Sequence, residues 1–253
     1  MTSRKITVVI PAAGRSSRSG LDFPKSLYKI GGEPILVRLC RSLSVYDSNP
    51  VIIINPSHQQ QFETVLKEYG VNAKFVFQAD ALGMGDALLK AETAVSDDSD
   101  VLLVWSDIPF LDKGTIKNLV ASHIDAQNDF SLATALCESC YTIVQRENGL
   151  LKAVIETRAA GIPPGKNGER DIGLFIFKKT PVFSLLKEQV EYAEVNGKKE
   201  QGFLYIIEKL IKKGFRAEGY PFAVKTDLLS FNTPEDLKEI ENYFNKYEDA
   251  SKK

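Results

Sequence analysis

The stretch Ile10-Pro-Ala-Ala-Gly-Arg-Ser-Ser-Arg-Ser-Gly-Leu-Asp-Phe-Pro-Lys25 directly continues an apolar run, Ile6-Thr-Val-Val-Ile10, that is typical of a buried β-strand. Its small triplet Ala12-Ala13-Gly14 lets the backbone come close to a ligand. Three cations follow the triplet, namely Arg15, Arg18 and Lys25. A strand that ends in a small-residue loop with several cations predicts a phosphate-binding site.

Strand-like and helix-like patterns alternate around this loop. Apolar runs predict strands, and 3.6-residue spacing predicts helices between them. The strands are predicted at Lys5–Ile10, Val51–Asn55, Lys74–Gln78 and Asp100–Trp105, and the helices at Glu33–Leu43, His58–Tyr69 and Met84–Ala94. This alternation indicates a Rossmann-like three-layer α/β fold with a mostly parallel sheet. Ligands of such sheets bind at the carboxyl ends of the strands, where the opening loop lies.

The pattern becomes richer in strands after about residue 110. It predicts a helix, four strands with a hairpin turn at Asn148-Gly149, a loop and two final helices. In chain order these are a helix at Leu111–Ser122, strands at Asp129–Leu136, Tyr141–Gln145, Leu151–Glu156 and Ile172–Phe177, a loop at 159–171, a helix at Glu200–Lys213, and a last helix with Thr233 as N-cap and Pro234 in its first position. We expect one domain over 1–253, with a nucleotide-binding half at about 1–110 and an acceptor half at about 111–247.

Composition excludes several classes of function. The formal net charge of −1 gives no reason to expect nucleic acid or an anionic membrane as a partner. Apolar runs stay far below the roughly 20 residues that cross a bilayer, so no membrane span is expected. Three cysteines are too few for a disulfide framework. Cys137-x-x-Cys140 resembles half of a metal or redox motif, but reduced structural thiols in a cytoplasmic protein are the favoured interpretation.

Two common phosphate-loop motifs fail. The pattern G-x4-G-K-[ST] does not fit, because Pro24 rather than Gly precedes Lys25-Ser26. The dinucleotide pattern G-x-G-x-x-G does not fit either, because Arg15 and Ser16 follow Gly14. The loop is therefore predicted to present cations, rather than a helix N-terminus, to the phosphates.

The loop resembles the signature of the nucleotide-sugar pyrophosphorylases, and most of all that of the N-terminal domain of N-acetylglucosamine-1-phosphate uridylyltransferases. Pro11-Ala-Ala-Gly14, Arg18 and Pro24-Lys25 carry this likeness. Later segments continue it in family order: Gln78 with Leu82–Ala87, Trp105–Pro109, Glu156 with Glu169–Gly173, and Phe231–Leu237. The resemblance implies a glycosyltransferase-A-like variant of the Rossmann-like fold, with an extra β-rich acceptor region.

The resemblance also implies a reaction. A nucleoside monophosphate, with UMP as the first candidate, passes from a nucleoside triphosphate to a sugar 1-phosphate, and pyrophosphate leaves. The implied roles are catalysis for Arg18 and Lys25; nucleotide binding for Ala12, Ala13, Gly14, Arg15, Gln78 and Gly83; sugar-phosphate binding for Trp105, Glu156 and Asp171; and Mg²⁺ binding for Asp107 and Asn232.

Three departures from the family pattern leave the acceptor open. Asp171 stands where Asn is usual, Trp105 where Tyr is usual, and Ser139–Thr142 where Gly-Tyr-Gly-Arg is usual. CTP-dependent transfer to an alcohol or polyol phosphate therefore stays an alternative. So does nucleotidyl transfer to a molybdenum cofactor, which Gly83-Met-Gly85 resembles. A non-catalytic nucleotide-binding module is the alternative from another class. Nothing resembles an acetyltransferase hexapeptide repeat, so only the transfer step is expected.

Overall fold

The computed structural model describes residues 5–14, 18–157, 160–162, 167–188, 192–195 and 198–248. The strands of this part of the chain are β1 (Ile6–Pro11), β2 (Lys29–Ile30), β3 (Glu33–Pro34), β4 (Val51–Ile54), β5 (Lys74–Phe77), β6 (Asp100–Val104), β7 (Phe130–Cys137), β8 (Thr142–Glu147), β9 (Leu150–Glu156), β10 (Gly168–Lys178), β11 (Tyr192–Val195), β12 (Lys198–Gln201) and β13 (Ala217–Tyr220). The α-helices are α1 (Ile35–Leu43), α2 (Gln59–Glu68), α3 (Met84–Ala91), α4 (Lys113–Asp125), α5 (Lys179–Glu188), α6 (Ile206–Lys212) and α7 (Pro234–Tyr243).

A seven-stranded sheet in the order β13-β7-β10-β6-β1-β4-β5 forms the centre of the molecule. Strands β6, β1, β4 and β5 run parallel to one another, and β10 alone runs antiparallel to its neighbours β6 and β7. The prediction of a mostly parallel Rossmann-like sheet is confirmed. Parallel pairing brings the carboxyl ends of β1, β4, β5 and β6 to one edge.

Helices cover both faces of the sheet, as the three-layer prediction requires. Val8 and Ile10 of β1 belong to one buried cluster, which includes residues of α1, α2, α4 and α7. Val9 between them belongs to the second cluster, which includes residues of α3, α5 and α6. Successive side chains of a strand point to opposite faces, so an all-apolar strand such as β1 needs a core on each side. No helix in the described ranges is long and apolar enough to cross a membrane.

The turn between β8 and β9 and the start of α7 follow the sequence predictions. Asn148 and Gly149 have φ angles of 53° and 82°, and a two-residue hairpin turn needs such positive values. Thr233 caps α7, since its hydroxyl accepts a hydrogen bond from the Asp236 amide at 3.2 Å. In return, the Asp236 carboxylate accepts from the amides of Asn232 and Thr233 at 2.9 and 2.8 Å.

Three predicted boundaries were wrong. The loop predicted at 159–171 gives way to β10 from Gly168 onward, because residues 168–171 pair with residues 134–137 of β7; part of that loop lies outside the described residues. The helix predicted over Glu200–Lys213 begins only at Ile206, since its first residues belong to β12 and the turn after it. The helix predicted from Glu33 begins at Ile35, because Glu33–Pro34 pairs with Lys29–Ile30. Pairing with distant segments outweighs local composition in each case.

Candidate active site

The side chains of Lys25, Asp107 and Asn232 meet at the carboxyl edge of the sheet. The Lys25 Nζ atom donates to Asp107 Oδ2 at 2.7 Å and to Asn232 Oδ1 at 2.9 Å. Arg18 Nη2 lies 3.5 Å from the same Asn232 Oδ1. The sequence assigned these four residues to catalysis and metal binding, and the fold brings all of them into one group, although as many as 214 positions of sequence separate them.

Backbone contacts hold the three loops of this group together. Asp107 follows β6, and its carbonyl accepts a hydrogen bond from the Phe231 amide at 2.8 Å, which places Asn232 beside it. Phe231 is fully buried and packs edge-on against Tyr28 at 5.5 Å between ring centroids. Tyr28 directly follows the short 3-10 turn Lys25–Leu27. A buried aromatic contact thus fixes the positions of both the lysine and the asparagine loops.

The oxygens of this group suit a divalent cation. Asp107 Oδ1 is buried and has no hydrogen-bond partner in the described part of the chain. The Asn232 amide donates from Nδ2 to Ser230 Oγ at 3.2 Å, so its Oδ1 stays turned toward Lys25. Carboxylate and amide oxygens are ligands that Mg²⁺ accepts, with substrate phosphates and water completing its shell. Within the described ranges no cluster of three or more His, Cys, Asp or Glu side chains could hold a metal.

The opening loop divides into a buried and an open part. Ala12 and Ala13 are 7% and 6% exposed, and the Ala12 amide donates to the Ile53 carbonyl at 2.7 Å, which extends the contact of β1 with β4. Gly14 is exposed, and a Cβ atom there would meet nothing within 4 Å. Gly14 is therefore the exposed member of this triplet. Arg15, assigned to nucleotide binding by the sequence, lies outside the described residues.

Gln78 lies at the end of β5 with its amide held in one orientation. Its Nε2 donates to the Gly83 carbonyl at 3.1 Å and to Asp86 Oδ2 at 2.8 Å. Both partners accept hydrogen bonds, so Nε2 must face them, and only Oε1 of the amide can serve a ligand.

Gly83 makes a close backbone contact of its own. It has a φ of 103°, and a Cβ atom there would lie 2.3 Å from the Gln201 carbonyl oxygen. The backbone amide of Gln201 also donates to the Leu82 carbonyl at 2.6 Å. The segment at Gln201 thus covers the backbone of Gly83, which the sequence assigned to nucleotide binding. Sequence reasoning missed Gln201 as a neighbour of Gly83, because that contact depends on how distant segments fold together. It also missed Asp86 as the partner of the Gln78 amide.

Asp171 and Trp105 both contact Gly173 of β10. Asp171 is buried, and its carboxylate accepts from the Thr142 hydroxyl and from the Gly173 amide, the latter at 2.9 Å. Burial raises the pKa of Asp171, although these hydrogen bonds oppose the shift. The Trp105 ring lies against Gly173, where a Cβ atom would come within 2.8 Å of the indole. Trp105 Nε1 is buried and has no hydrogen-bond partner among the described residues.

Glu156 stands near Asp171 with an exposed side chain at the end of β9. Desolvation of its carboxyl raises its pKa, and the negative charges of Asp171 and Glu200 raise it further. Asp171, Glu156 and Glu200 therefore form a group of neighbouring carboxylates. The sequence identified two of them, and it missed Glu200, which it placed inside a helix.

Residues 8–169 match the family model of the MobA-like NTP transferase domain. The chain belongs to this family. The match spans the opening loop, Lys25, Gln78, Asp107 and Glu156, whereas Asn232 lies beyond it and joins the group through the fold. The prediction of a nucleotidyltransferase family from the residue motifs is confirmed.

Sequence relatives and solved structures agree with the family. The bifunctional protein GlmU of Buchnera aphidicola subsp. Schizaphis graminum is 30% identical over 70% of this chain and 38% of its own length. The chain spans about half or less of the curated relatives of this name. A Bacillus anthracis structure described as a glucose-1-phosphate thymidylyltransferase has a TM-score of 0.78 at 18% identity and covers 95% of this chain and 96% of its own. The inositol-1-phosphate CTP transferase of T. maritima has a TM-score of 0.71 at 16% identity, with 98% and 99% covered. These two likenesses establish the fold.

Proposed function

We propose that this chain transfers a nucleoside monophosphate from a nucleoside triphosphate to a sugar 1-phosphate, with release of pyrophosphate. The observation that carries the proposal is the contact of Lys25 with both Asp107 and Asn232. It gathers a cation and two metal-ligand oxygens beside the small-residue loop, at the edge where such sheets bind ligands. The family match supports the nucleotidyl-transfer chemistry.

The chemistry requires positioning and charge neutralisation rather than a covalent nucleophile. A phosphate oxygen of the acceptor attacks the α-phosphorus in line, and the bond from that phosphorus to the bridging oxygen breaks. The electron pair leaves with pyrophosphate. Arg18 and Lys25 stabilise the negative charge that builds up on the phosphoryl oxygens in the transition state. Gly14 lets the backbone approach the triphosphate, because no atom of the described residues lies within 4 Å of the position that its Cβ atom would take.

Asp107 and Asn232 would hold Mg²⁺, which polarises phosphoryl oxygens and neutralises their charge. The fit rests on the buried, unpartnered Asp107 Oδ1 and on the fixed orientation of the Asn232 amide. Lys25 donates to one oxygen of each of these residues. A bound ion would share these ligands with Lys25, and the Lys25 ammonium would then be available to contact a phosphate.

The base is proposed to contact Gln78, with UTP as the first candidate. Only Oε1 of this amide is available, and it can accept a hydrogen bond from the imide N–H of uracil or thymine. The same oxygen can accept from the amino group of cytosine, which keeps CTP as the second candidate. The structural likeness to an inositol-1-phosphate CTP transferase supports that candidate as well.

The acceptor is proposed to lie against Trp105, Glu156 and Asp171. A carboxylate can only accept hydrogen bonds, which fits the hydroxyl groups of a sugar or polyol. The Asp171 oxygens are engaged with Thr142 and Gly173, so Glu156 has the greater free capacity to accept. We further propose one nucleotidyltransferase domain of cytoplasmic location, with small-molecule substrates and no nucleic-acid or membrane partner.

A pyrophosphate-release assay tests the proposal. The four nucleoside triphosphates are each combined with a panel of sugar 1-phosphates and polyol phosphates, with and without Mg²⁺. We expect turnover with at least one UTP or CTP pair, dependence on Mg²⁺, and loss of turnover in Lys25→Met. Lys29→Met serves as the matched control, because Lys29 is exposed and pairs only loosely with Glu68 at 3.5 Å. Nucleotide binding without turnover on any pair would instead support the non-catalytic module.

A further inference from the structure

Two cysteines outside the proposed catalytic group lie in direct contact. Cys137 is the last residue of β7, and Cys140 lies three positions later, just before β8. Their Sγ atoms are 2.7 Å apart, and Cys140 Sγ also approaches the Cys137 carbonyl at 3.8 Å. A disulfide has an S–S bond of about 2.05 Å, so the two thiols need only a small shift to become bonded. Both cysteines are free thiols in this structure, and their contact gives the redox alternative a geometric basis.

The two thiols differ in their access to solvent. Cys140 is 3% exposed, and its burial, followed by its hydrogen bond with Cys137, raises the pKa of its thiol to about 12. Cys137 is half-buried, so a dissolved oxidant can meet its sulfur first. No cluster of three or more metal-ligating side chains includes this pair among the described residues. A Cys-x-x-Cys pair of this kind fits thiol–disulfide exchange.

We propose that Cys137 and Cys140 form a reversible dithiol–disulfide site whose oxidant is a small disulfide such as oxidised glutathione. The Cys137 thiolate attacks one sulfur of that disulfide, and the first small thiol leaves with the electron pair of the broken S–S bond. Cys140 then loses its proton and attacks the Cys137 sulfur of the mixed disulfide, which releases the second small thiol. Two protein thiols are oxidised, one small disulfide is reduced, and both protons end on the released thiols.

The site lies in the segment that joins β7 to β8. Tyr141 follows Cys140, and its carbonyl accepts from the Thr157 amide at 3.0 Å and from the Thr157 hydroxyl at 2.8 Å. The Arg170 guanidinium lies over the Tyr141 ring at 5.4 Å. Thr142 donates to Asp171. A disulfide between Cys137 and Cys140 therefore forms next to contacts that position the proposed acceptor residues.

The test counts thiols on the full chain. The reduced, folded protein is incubated with oxidised glutathione, denatured in acid, alkylated and weighed by mass spectrometry. We expect the wild type to lose two of its three free thiols and to retain no glutathione. Cys40 should keep its thiol, because it is buried in the core and burial raises its pKa to about 12. The Cys40→Ser variant should likewise lose two thiols, and then none would remain.

Two further variants test the order of attack. Cys140→Ser should trap glutathione on Cys137, whereas Cys137→Ser should gain about tenfold less adduct, because only a buried thiol remains at the site. Three alkylated thiols in the treated wild type would overturn the proposal. So would equal adducts in the two single variants, because the order of attack would then be absent. The wild-type thiol count holds even if one variant folds poorly, and circular dichroism checks the folding of each.

The disulfide is also expected to change the binding of the acceptor phosphate. This expectation rests on the proposed function and is tested by a separate measurement. Oxidation should change the KM for the acceptor phosphate about threefold or more in the wild type and leave it unchanged in Cys137→Ser. An unchanged KM in the oxidised wild type would overturn this link to the acceptor. The thiol count, which needs no turnover, would decide separately whether the disulfide forms.

Discussion

Lys25 Nζ lies 2.7 Å from Asp107 Oδ2 across 82 positions of sequence, with side-chain exposures of 21% and 13%. The same nitrogen lies 2.9 Å from Asn232 Oδ1. A partly buried ion pair of this kind is a weak argument for stability, because desolvation offsets much of the attraction. Its location at the carboxyl edge of a parallel sheet, beside an open glycine loop, argues instead for a role in binding phosphate and metal.

Removal of either member of this pair is expected to abolish most of the activity. Lys25→Ala and Asp107→Ala should each lower kcat/KM on the order of 100-fold or more, because each removes a group that stabilises transition-state charge. The measurement is steady-state pyrophosphate release with the best substrate pair. Lys29→Ala is the control and should stay near the wild-type rate, since its ion pair is exposed. Near-wild-type rates in both Lys25→Ala and Asp107→Ala would refute the assignment of the site.

Metal binding without substrate separates the two members of the pair. Asp107→Asn should weaken the binding of Mn²⁺, used as a probe for Mg²⁺, at least about tenfold. The reason is that the affinity for a divalent cation falls when a negative charge is removed from its ligands. Lys25→Met should bind the ion as tightly as the wild type or more tightly, because no ammonium then competes for Asp107 Oδ2 and Asn232 Oδ1. Electron paramagnetic resonance of free Mn²⁺ measures the affinity of each variant for the ion. Equal affinity in Asp107→Asn and wild type would place the ion elsewhere.

Local sequence patterns predicted most of the fold of residues 1–110. Val51–Ile54 and Asp100–Val104 are fully buried strands, and their apolar runs between helical segments could belong to little other than a parallel sheet. Once the sheet is parallel, its carboxyl ends must share an edge, so the meeting of Lys25 with Asp107 could be foreseen. The role of Asn232 required the family motif, because it reaches the edge from beyond the last strand of the central sheet.

The part of the chain after residue 110 was less predictable, because its elements depend on distant partners. Residues 168–171 of β10 have the composition of a loop, yet they pair with β7. Ala217–Tyr220 forms a parallel edge strand beside β7, although its sequence lacks the alternation of apolar residues that would predict a strand. Gln201 contacts the backbone at Gly83. It lies at the end of a short strand, where the sequence predicted the beginning of a helix. Pairing energy with a remote segment exceeds local propensity at all three places.

Asp171→Asn is expected to stabilise the protein in a pH-dependent way. Burial raises the pKa of Asp171 above its unfolded value of about 3.9, so the native state holds this proton more tightly than the unfolded state. Wild-type stability from this residue is therefore present at low pH and is lost as pH rises through the native pKa. Asn removes that loss and keeps an oxygen for the Gly173 amide.

The free energy of unfolding of Asp171→Asn should thus exceed that of the wild type by an amount that grows with pH. This difference should reach about 1.4 kcal/mol for each unit of pKa shift and should vanish in acid. Urea unfolding at several pH values measures it. Asp80→Asn, at an exposed position, is the control and should change the free energy of unfolding by less than about 0.5 kcal/mol. A constant difference between wild type and Asp171→Asn at all pH values would contradict the prediction.

Gly83→Ala is expected to destabilise the protein more than Gly32→Ala. Both glycines have positive φ angles, of 103° and 84°, so alanine is strained at either position and costs about 1 kcal/mol or more. At Gly32 a Cβ atom meets nothing within 4 Å, whereas at Gly83 it meets the Gln201 carbonyl oxygen at 2.3 Å. The clash involves backbone on both sides, which should add about 1–3 kcal/mol of overpacking to the loss at Gly83. Urea unfolding of both variants measures the difference, and equal losses would show that Gln201 does not pack against Gly83.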